Sequence, residues 1–132
     1  MIPRGIAILG STGSVGTTAL RVLARQQAGF RVRALTANTN ATLLRAQAAE
    51  HRPSFVGMVE ASEGADAGWA VGAECLVSAA VRDDVHTVIN AVVGAAGLRA
   101  TIAALGAGKR VALANKETLV MAGGLVTAAA RR

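Results

Sequence analysis

The sequence predicts an α/β fold: a doubly wound, mostly parallel sheet with helices on both faces, forming a single domain. Three observations favour this fold. Short apolar runs alternate with segments of helical spacing along the 132 residues, and such alternation is typical of parallel sheets. The first run is apolar enough to be buried on both faces. A glycine-rich turn and a helical segment follow it, which is a Rossmann-like beginning.

Each element is predicted from its local pattern, in order along the chain. Strands are predicted at short apolar or alternating runs, which are residues 4–9, 30–36, 54–59, 69–71, 87–93 and 110–114. Helices are predicted where apolar residues recur at helical spacing, which are residues 14–27, 41–51, 73–81, 98–107 and 117–132. Ser14 is expected to be the N-cap of the first helix, and Pro53 follows the end of the second.

Composition and charge limit the classes of function. Hydrophobic residues make up 52% of the chain, which argues against disorder. The net charge is +6, but the arginines are scattered and aromatic residues are only 2%, so stacking platforms for nucleic-acid bases are lacking. The single Cys75 excludes an intrachain disulfide and is expected in the core. We therefore expect a cytoplasmic protein that binds neither nucleic acid nor a membrane.

The stretch Gly10-Ser-Thr-Gly-Ser-Val-Gly16 is where a dinucleotide diphosphate is expected to bind. Glycine permits a tight turn and lets the diphosphate approach the backbone closely. The N–H groups and the dipole at the start of the following helix can then hold the anion. The alternative is a purely structural turn, because tight connections between strands and helices favour glycine.

Ligands of doubly wound sheets bind at the carboxyl ends of the strands. An acidic residue at the end of the second strand would bind the ribose of NAD, but residues 36–40 contain none. This favours NADP, with Arg33 or Arg45 adding positive charge. Alternatively Asn38, Thr39 and Asn40 cap the next helix, since such residues cap well, and both roles can hold together.

A lysine and a glutamate follow the last predicted strand and would face the same edge of the sheet. Lys116 can hold a substrate anion or carbonyl, and Glu117 can accept a hydrogen bond from a ribose hydroxyl. The alternative is simply a charged helix start, where a glutamate is favourable.

Three motifs together resemble the 1-deoxy-D-xylulose 5-phosphate reductoisomerases of the non-mevalonate isoprenoid pathway. They are Gly10-Ser-Thr-Gly-Ser-Val-Gly16, Asn90-Ala-Val-Val-Gly-Ala-Ala-Gly97 and Leu113-Ala-Asn-Lys-Glu-Thr-Leu-Val120. The resemblance covers essentially the whole chain. It implies an NADPH-dependent, homodimeric enzyme with a divalent metal, Mg²⁺ or Mn²⁺. This enzyme rearranges 1-deoxy-D-xylulose 5-phosphate and reduces the aldehyde intermediate to 2-C-methyl-D-erythritol 4-phosphate.

The resemblance also implies roles for individual residues. The implied cofactor-binding residues are Thr12, Gly13, Ser14 and Val15 for the diphosphate, Asn38, Thr39 and Asn40 for the 2′-phosphate, and Asn115 and Glu117 for the nicotinamide end. Lys116 would reach the substrate. The family's metal ligands lie downstream of the lysine motif, so neither a metal ligand nor a catalytic residue is assigned here. Residues 1–132 would thus be the NADPH-binding domain of a longer enzyme, and alone would bind cofactor without turnover.

Other classes stay open on the sequence. One is another NADP-linked dehydrogenase, of the homoserine or aspartate-semialdehyde type, although a catalytic cysteine in a fitting place is lacking for the latter. A non-enzymatic dinucleotide-binding module and a structural domain without a ligand are the others. The segment Asp83-Asp84-Val85-His86 is interpreted as a surface loop rather than a metal site.

Overall fold

The computed structural model describes residues 3–25, 29–60 and 65–113. Within these ranges the strands are β1 (Arg4–Leu9), β2 (Phe30–Ala37), β3 (Phe55–Met58), β4 (Ala70–Val71), β5 (Thr87–Asn90) and β6 (Arg110–Leu113). The helices in the same ranges are α1 (Ser14–Ala24), α2 (Ala41–His51), α3 (Glu74–Ala80) and α4 (Gly94–Gly106). None of these helices is long and apolar enough to cross a membrane.

The strands form one sheet in the order β4-β3-β2-β1-β5-β6. Every neighbouring pair is parallel, so the predicted doubly wound parallel sheet is confirmed. From β1 the chain moves outward through α1 and α2 to β3 and β4, and then returns through α3 to β5 on the other side of β1. Because the direction of winding reverses between β1 and β5, the loops that follow these two strands diverge and open a cleft.

The core has two layers, one on each face of the sheet. Ile6 and Ile8 of β1 point to the face covered by α1 and α2, where they pack with Leu20 and Leu44. Alternate residues of β1 point to the face covered by α3 and α4. This double burial explains why β1 is apolar throughout. Cys75 is buried as predicted, and burial raises the pKa of its thiol to about 11.

The prediction that Ser14 is the N-cap of α1 is wrong. Gly13 is the N-cap, with extended backbone angles (φ −77°, ψ 175°), and its carbonyl accepts the first helical hydrogen bond, from the N–H of Thr17 at 2.9 Å. Ser14 is therefore already helical. The helix ends at Ala24 with Arg25 as its C-cap, earlier than the predicted residue 27; residues 26–28 lie outside the described ranges.

The predicted strand 87–93 and helix 98–107 are also wrong at the boundary between them. Strand β5 ends at Asn90 because the Asn90 side-chain oxygen accepts a hydrogen bond from the N–H of Val92 at 3.0 Å, which turns the chain out of the sheet. Helix α4 then starts at Gly94, four residues before the prediction. The other described boundaries lie within one residue of those predicted. The predicted helix 117–132 lies outside the described residues.

Candidate functional site

A cleft of about 360 Å³ opens at the carboxyl ends of β1, β2 and β5, where the direction of winding reverses. The glycine-rich turn after β1 contributes Gly10, Thr12 and Gly13 to its wall. Residues 36–38 at the end of β2 and residues 91–93 after β5 contribute the remaining walls near the strand ends. The cleft therefore lies where doubly wound sheets bind their ligands.

The glycine-rich turn presents the start of α1 to this cleft. Gly10 has φ +82°, a conformation that favours glycine, and Gly13 is exposed. Among the residues that the structure describes, no side chain caps α1, and the first turn of α1 contains no acidic residue. The hydroxyls of Thr17 and Thr18 donate instead to the carbonyl of Ser14, at 3.0 and 2.9 Å. The N–H groups that begin α1 and the positive end of its dipole are thus available to an anion.

Two contacts fix the turn from behind. The N–H groups of Gly10 and Ser11 both donate to the carbonyl of Thr36 in β2, at 3.0 and 2.8 Å. Ser11 also exchanges two hydrogen bonds with Gln47 of α2, each 2.8 Å long. The turn is therefore held by both the neighbouring strand and the helix behind it, while its front faces the cleft.

The loop after β5 is organised by the buried amide of Asn90. Its nitrogen donates to the carbonyl of Gly97 at 2.8 Å and to the hydroxyl of Thr101 at 2.7 Å. The N-cap of α4, Val93, offers no side-chain hydrogen bond, and its own side chain is 64% exposed. A second uncapped helix start and an apolar side chain thus lie across the cleft from the glycine-rich turn.

The end of β2 carries the exposed residues Asn38, Thr39 and Asn40. The side-chain oxygen of Asn40 accepts from the N–H of Leu43 at 3.1 Å, so the predicted capping role is confirmed for this residue. The end of β3 approaches the same loop, because the N–H of Glu60 donates to the carbonyl of Asn38 at 3.1 Å.

The two arginines that the sequence suggested as extra positive charge near this loop differ from each other in position and in partners. Arg33 is the additional residue of a bulge in the first half of β2, since Val32 pairs with Ile6 and Ala34 with Ala7. Arg45 forms an ion pair with Asp66 at 3.0 Å and stacks over the ring of Trp69. The positive charge of Arg45 is therefore partly balanced by a carboxylate.

The profile of the family described as 1-deoxy-D-xylulose 5-phosphate reductoisomerase matches residues 6–123. The chain belongs to this family. A member from Oleidesulfovibrio alaskensis is 46% identical over an alignment of 140 positions. The alignment covers 94% of this chain and 33% of that protein. The structure of the 1-deoxy-D-xylulose 5-phosphate reductoisomerase from Zymomonas mobilis in complex with NADPH superposes with a TM-score of 0.88 at 39% identity, over 98% of this chain and 36% of that one.

The chain thus spans about a third of the length of the reductoisomerases it matches. A homoserine dehydrogenase from Thiobacillus denitrificans also superposes, with a TM-score of 0.62 at 20% identity over 99% of this chain and 28% of that one. At that identity the likeness shows a shared fold alone. The alternative of a homoserine-type dehydrogenase therefore gains no support beyond the fold, whereas the reductoisomerase resemblance is confirmed at the level of the family.

Most of the residues implied by the reductoisomerase resemblance lie along one edge of the sheet. The described members of this set are Thr12, Gly13, Ser14, Val15, Asn38, Thr39 and Asn40. The other members, Asn115, Lys116 and Glu117, lie outside the described residues. Sequence reasoning missed the buried polar groups that hold the edge in place, which are Ser11, Thr36, Gln47, Asn90 and Thr101. The presence of Asn90 within the otherwise apolar run 88–93 was the one available signal.

The acidic segment 83–86 lies at the opposite edge of the sheet, where the Nδ1 atom of His86 accepts from the N–H of Gly5 at 2.9 Å. Burial pushes the pKa of Asp84 upward, but hydrogen bonds from Arg82 and Ser54 and the Arg82 charge outweigh it and lower the pKa below its ordinary value. Asp84 forms an ion pair with Arg82 at 2.9 Å. Across residues 3–25, 29–60 and 65–113, no three histidine, cysteine or acidic side chains are grouped to hold a metal.

Proposed function

We propose that residues 1–132 form the NADPH-binding domain of a 1-deoxy-D-xylulose 5-phosphate reductoisomerase. The protein that carries this domain would convert 1-deoxy-D-xylulose 5-phosphate to 2-C-methyl-D-erythritol 4-phosphate in the non-mevalonate isoprenoid pathway. The observation that carries the proposal is the uncapped start of α1 behind the glycine-rich turn, at the cleft where the winding reverses. Membership of the family supports the reaction, and the NADPH complex of the Zymomonas mobilis relative supports the cofactor.

The turn fits a dinucleotide diphosphate. Gly13 is exposed and has no side chain that would keep phosphate oxygens from the first N–H groups of α1. These N–H groups, in residues 14 and 15, would donate to the diphosphate, and the helix dipole would stabilise its charge. Thr12 would approach it from the wall of the cleft. No carboxylate in the first turn of α1 opposes the anion.

The loop after β2 fits a 2′-phosphate. The Asn40 side chain uses its oxygen for the helix cap, which leaves its NH₂ group to donate. Asn38 offers a second amide and Thr39 a hydroxyl, and all three residues are exposed. Because NAD-specific sites place an acidic residue at this point, donors without a carboxylate favour NADPH.

The reacting end of the cofactor is assigned from the family alone. NADPH supplies the hydride that reduces the aldehyde. Asn115 and Glu117 would hold the nicotinamide end, and the ammonium group of Lys116 would neutralise or polarise an oxygen of the sugar phosphate. We assign no metal ligand to the described residues, and propose that the Mg²⁺ or Mn²⁺ of the whole enzyme is held by residues outside this chain. We also propose that the whole enzyme is a cytoplasmic homodimer.

The cofactor preference is testable by titration. We expect the chain to bind NADPH more tightly than NADH by roughly tenfold or more, since one charge-assisted hydrogen bond to the 2′-phosphate contributes about 1.5 kcal/mol. The measurement is calorimetric or fluorescence titration with each nucleotide under the same buffer and salt conditions. Equal affinities for the two nucleotides would contradict the role of Asn38, Thr39 and Asn40.

Turnover is tested separately. We expect the 132-residue chain to bind NADPH without oxidising it when 1-deoxy-D-xylulose 5-phosphate and Mg²⁺ or Mn²⁺ are supplied. Polarising a ketose phosphate needs a held divalent ion as well as a lysine. The assay follows NADPH absorbance, with the full-length Oleidesulfovibrio alaskensis relative as the positive control. Comparable turnover by both proteins would contradict the proposal and would direct attention to Asp83, Asp84 and His86.

A further inference from the structure

A buried pair of polar side chains joins the glycine-rich turn to the middle of α2. The Ser11 hydroxyl donates to the side-chain oxygen of Gln47, and the side-chain nitrogen of Gln47 donates to the carbonyl of Ser11, both at 2.8 Å. Ser11 is 0% exposed and Gln47 is 6% exposed. The contact therefore closes a small hydrogen-bonded ring, shielded from water, between residues 36 positions apart.

The position of Ser11 determines the shape of the whole turn. Its N–H donates to the carbonyl of Thr36 at 2.8 Å, so its backbone donor, backbone acceptor and hydroxyl are all engaged. The backbone of α1 packs directly against it, since a Cβ atom on Gly16 would lie 2.6 Å from the Ser11 Cα. A shift of Ser11 would therefore move both the turn and the start of α1.

We propose that Gln47 is a positioning residue for cofactor binding, which holds the glycine-rich turn in the conformation that receives the diphosphate. The proposal rests on the proposed NADPH-binding function. Gln47 lies behind the turn and is not itself assigned a contact with the cofactor. It also lies two helical turns after Asn40, the cap of α2, so one rigid helix connects the 2′-phosphate loop to the diphosphate turn.

The physical reason is that Ser11 cannot keep its position without a partner for its carbonyl. A buried carbonyl that loses its hydrogen bond is costly, so the turn will relax toward conformations in which water or another donor reaches it. Only the original conformation receives the diphosphate. The apparent dissociation constant then rises in inverse proportion to the fraction of molecules that remain in that conformation.

The test is NADPH titration of the 132-residue chain carrying Gln47→Met, which keeps the length of the side chain and removes both hydrogen bonds. We expect the dissociation constant to rise about tenfold or more. The matched control is Leu44→Ala, on the same helix and fully buried among apolar side chains. It should lower the melting temperature at least as much, yet change the dissociation constant by less than about threefold.

Ser11→Ala provides a second, milder variant in case Gln47→Met does not fold. It removes the hydroxyl bond and keeps the bond from Gln47 to the Ser11 carbonyl, so we expect a loss of about threefold. The double variant should bind no more weakly than Gln47→Met alone, within about twofold, because both changes act through one pair.

Gln47→Glu tests the donor directly. An ionised glutamate cannot donate to the Ser11 carbonyl, but a protonated one can. At each pH, the affinity of this variant for NADP⁺ is compared with that of the unsubstituted chain. The affinity of the variant should approach that of the unsubstituted chain as the pH falls. A relative affinity that stays low at every pH would contradict the role of the Gln47 nitrogen.

The possible failures can be told apart. If the unsubstituted chain binds NADPH and Gln47→Met binds as well as Leu44→Ala does, the positioning role is overturned and the proposed function stands. If the unsubstituted chain does not bind NADPH, the proposed function fails and the positioning role fails with it.

Discussion

Gly16→Ala is expected to destabilise the chain by about 2 kcal/mol and to weaken NADPH binding about tenfold or more. A Cβ atom at this position would overlap the carbonyl oxygen of Gly10 and lie 2.6 Å from the Cα of Ser11. Both neighbours are backbone atoms, which cannot rotate away. Alanine gains about 1 kcal/mol in helix propensity over glycine, but overpacking against a rigid neighbour costs about 1–3 kcal/mol and here lies at or above the upper end. Relief requires α1 to move away from the turn, and the diphosphate site is lost with it.

Two measurements test Gly16→Ala: unfolding in urea for its stability, and NADPH titration of the folded protein for its affinity. Gly106→Ala is the matched control. Gly106 is also a helical glycine, but an added Cβ there meets no atom within 4 Å. This control should be neutral or stabilising by up to about 1 kcal/mol, with unchanged binding. If Gly16→Ala were as stable as Gly106→Ala, the close packing of α1 on the turn would be wrong.

The fold was predictable because its main signals are local. The apolar run of β1, the glycines of the turn and the helical spacing after it are each contained in a few residues, and together they give strand, turn and helix. The parallel sheet then follows, because successive strands separated by helices return in the same direction. The same reasoning predicts that β1 and β2 end at one edge of the sheet, and Gly13 and Asn38 line one cleft there.

The polar groups that hold this edge were not predictable in the same way. Ser11 and Gln47 are separated by 36 positions, and nothing local distinguishes Gln47 from an exposed helical glutamine. The start of α4 was missed because Gly94 and Gly97 resemble loop residues. The structure shows instead that Gly97 is needed inside the helix, since a Cβ there would overlap the carbonyl oxygen of Val92.

The two loops on either side of the cleft share a close contact between a helix glycine and a loop carbonyl, but different hydrogen bonds hold them in place. In each, a glycine near the helix start, Gly16 or Gly97, lets the helix pack against a carbonyl of the preceding loop. The loop after β5 is held by Asn90, which belongs to its own strand and bonds forward to α4. The glycine-rich turn is held from another element, α2. The diphosphate side of the cleft therefore depends on the hydrogen bonds of Gln47 in α2 in a way that the opposite side does not.

Gly13→Val is expected to weaken NADPH binding well beyond tenfold, which corresponds to about 1.4 kcal/mol, while leaving the fold intact. Gly13 has backbone angles that valine adopts readily (φ −77°, ψ 175°). An added Cβ would meet only the Gly10 carbonyl oxygen, at an ordinary contact distance of 3.7 Å. Valine is a poor N-cap, but relative to glycine that costs less than about 1 kcal/mol. The branched side chain would instead occupy the space in front of the first N–H groups of α1, which phosphate oxygens must approach to roughly 3 Å.

Within the stretch of residues 10–16, comparing Gly13→Val with Gly16→Ala distinguishes a residue that borders the ligand from a residue that maintains the packing. Gly16→Ala should lose stability and binding together, whereas Gly13→Val should lose binding at nearly unchanged stability, with Gly13→Ala giving a smaller loss of the same kind. Unfolding in urea and NADPH titration on the same samples provide both quantities. If folded Gly13→Val bound NADPH as tightly as the unsubstituted chain, the diphosphate would not lie on this turn.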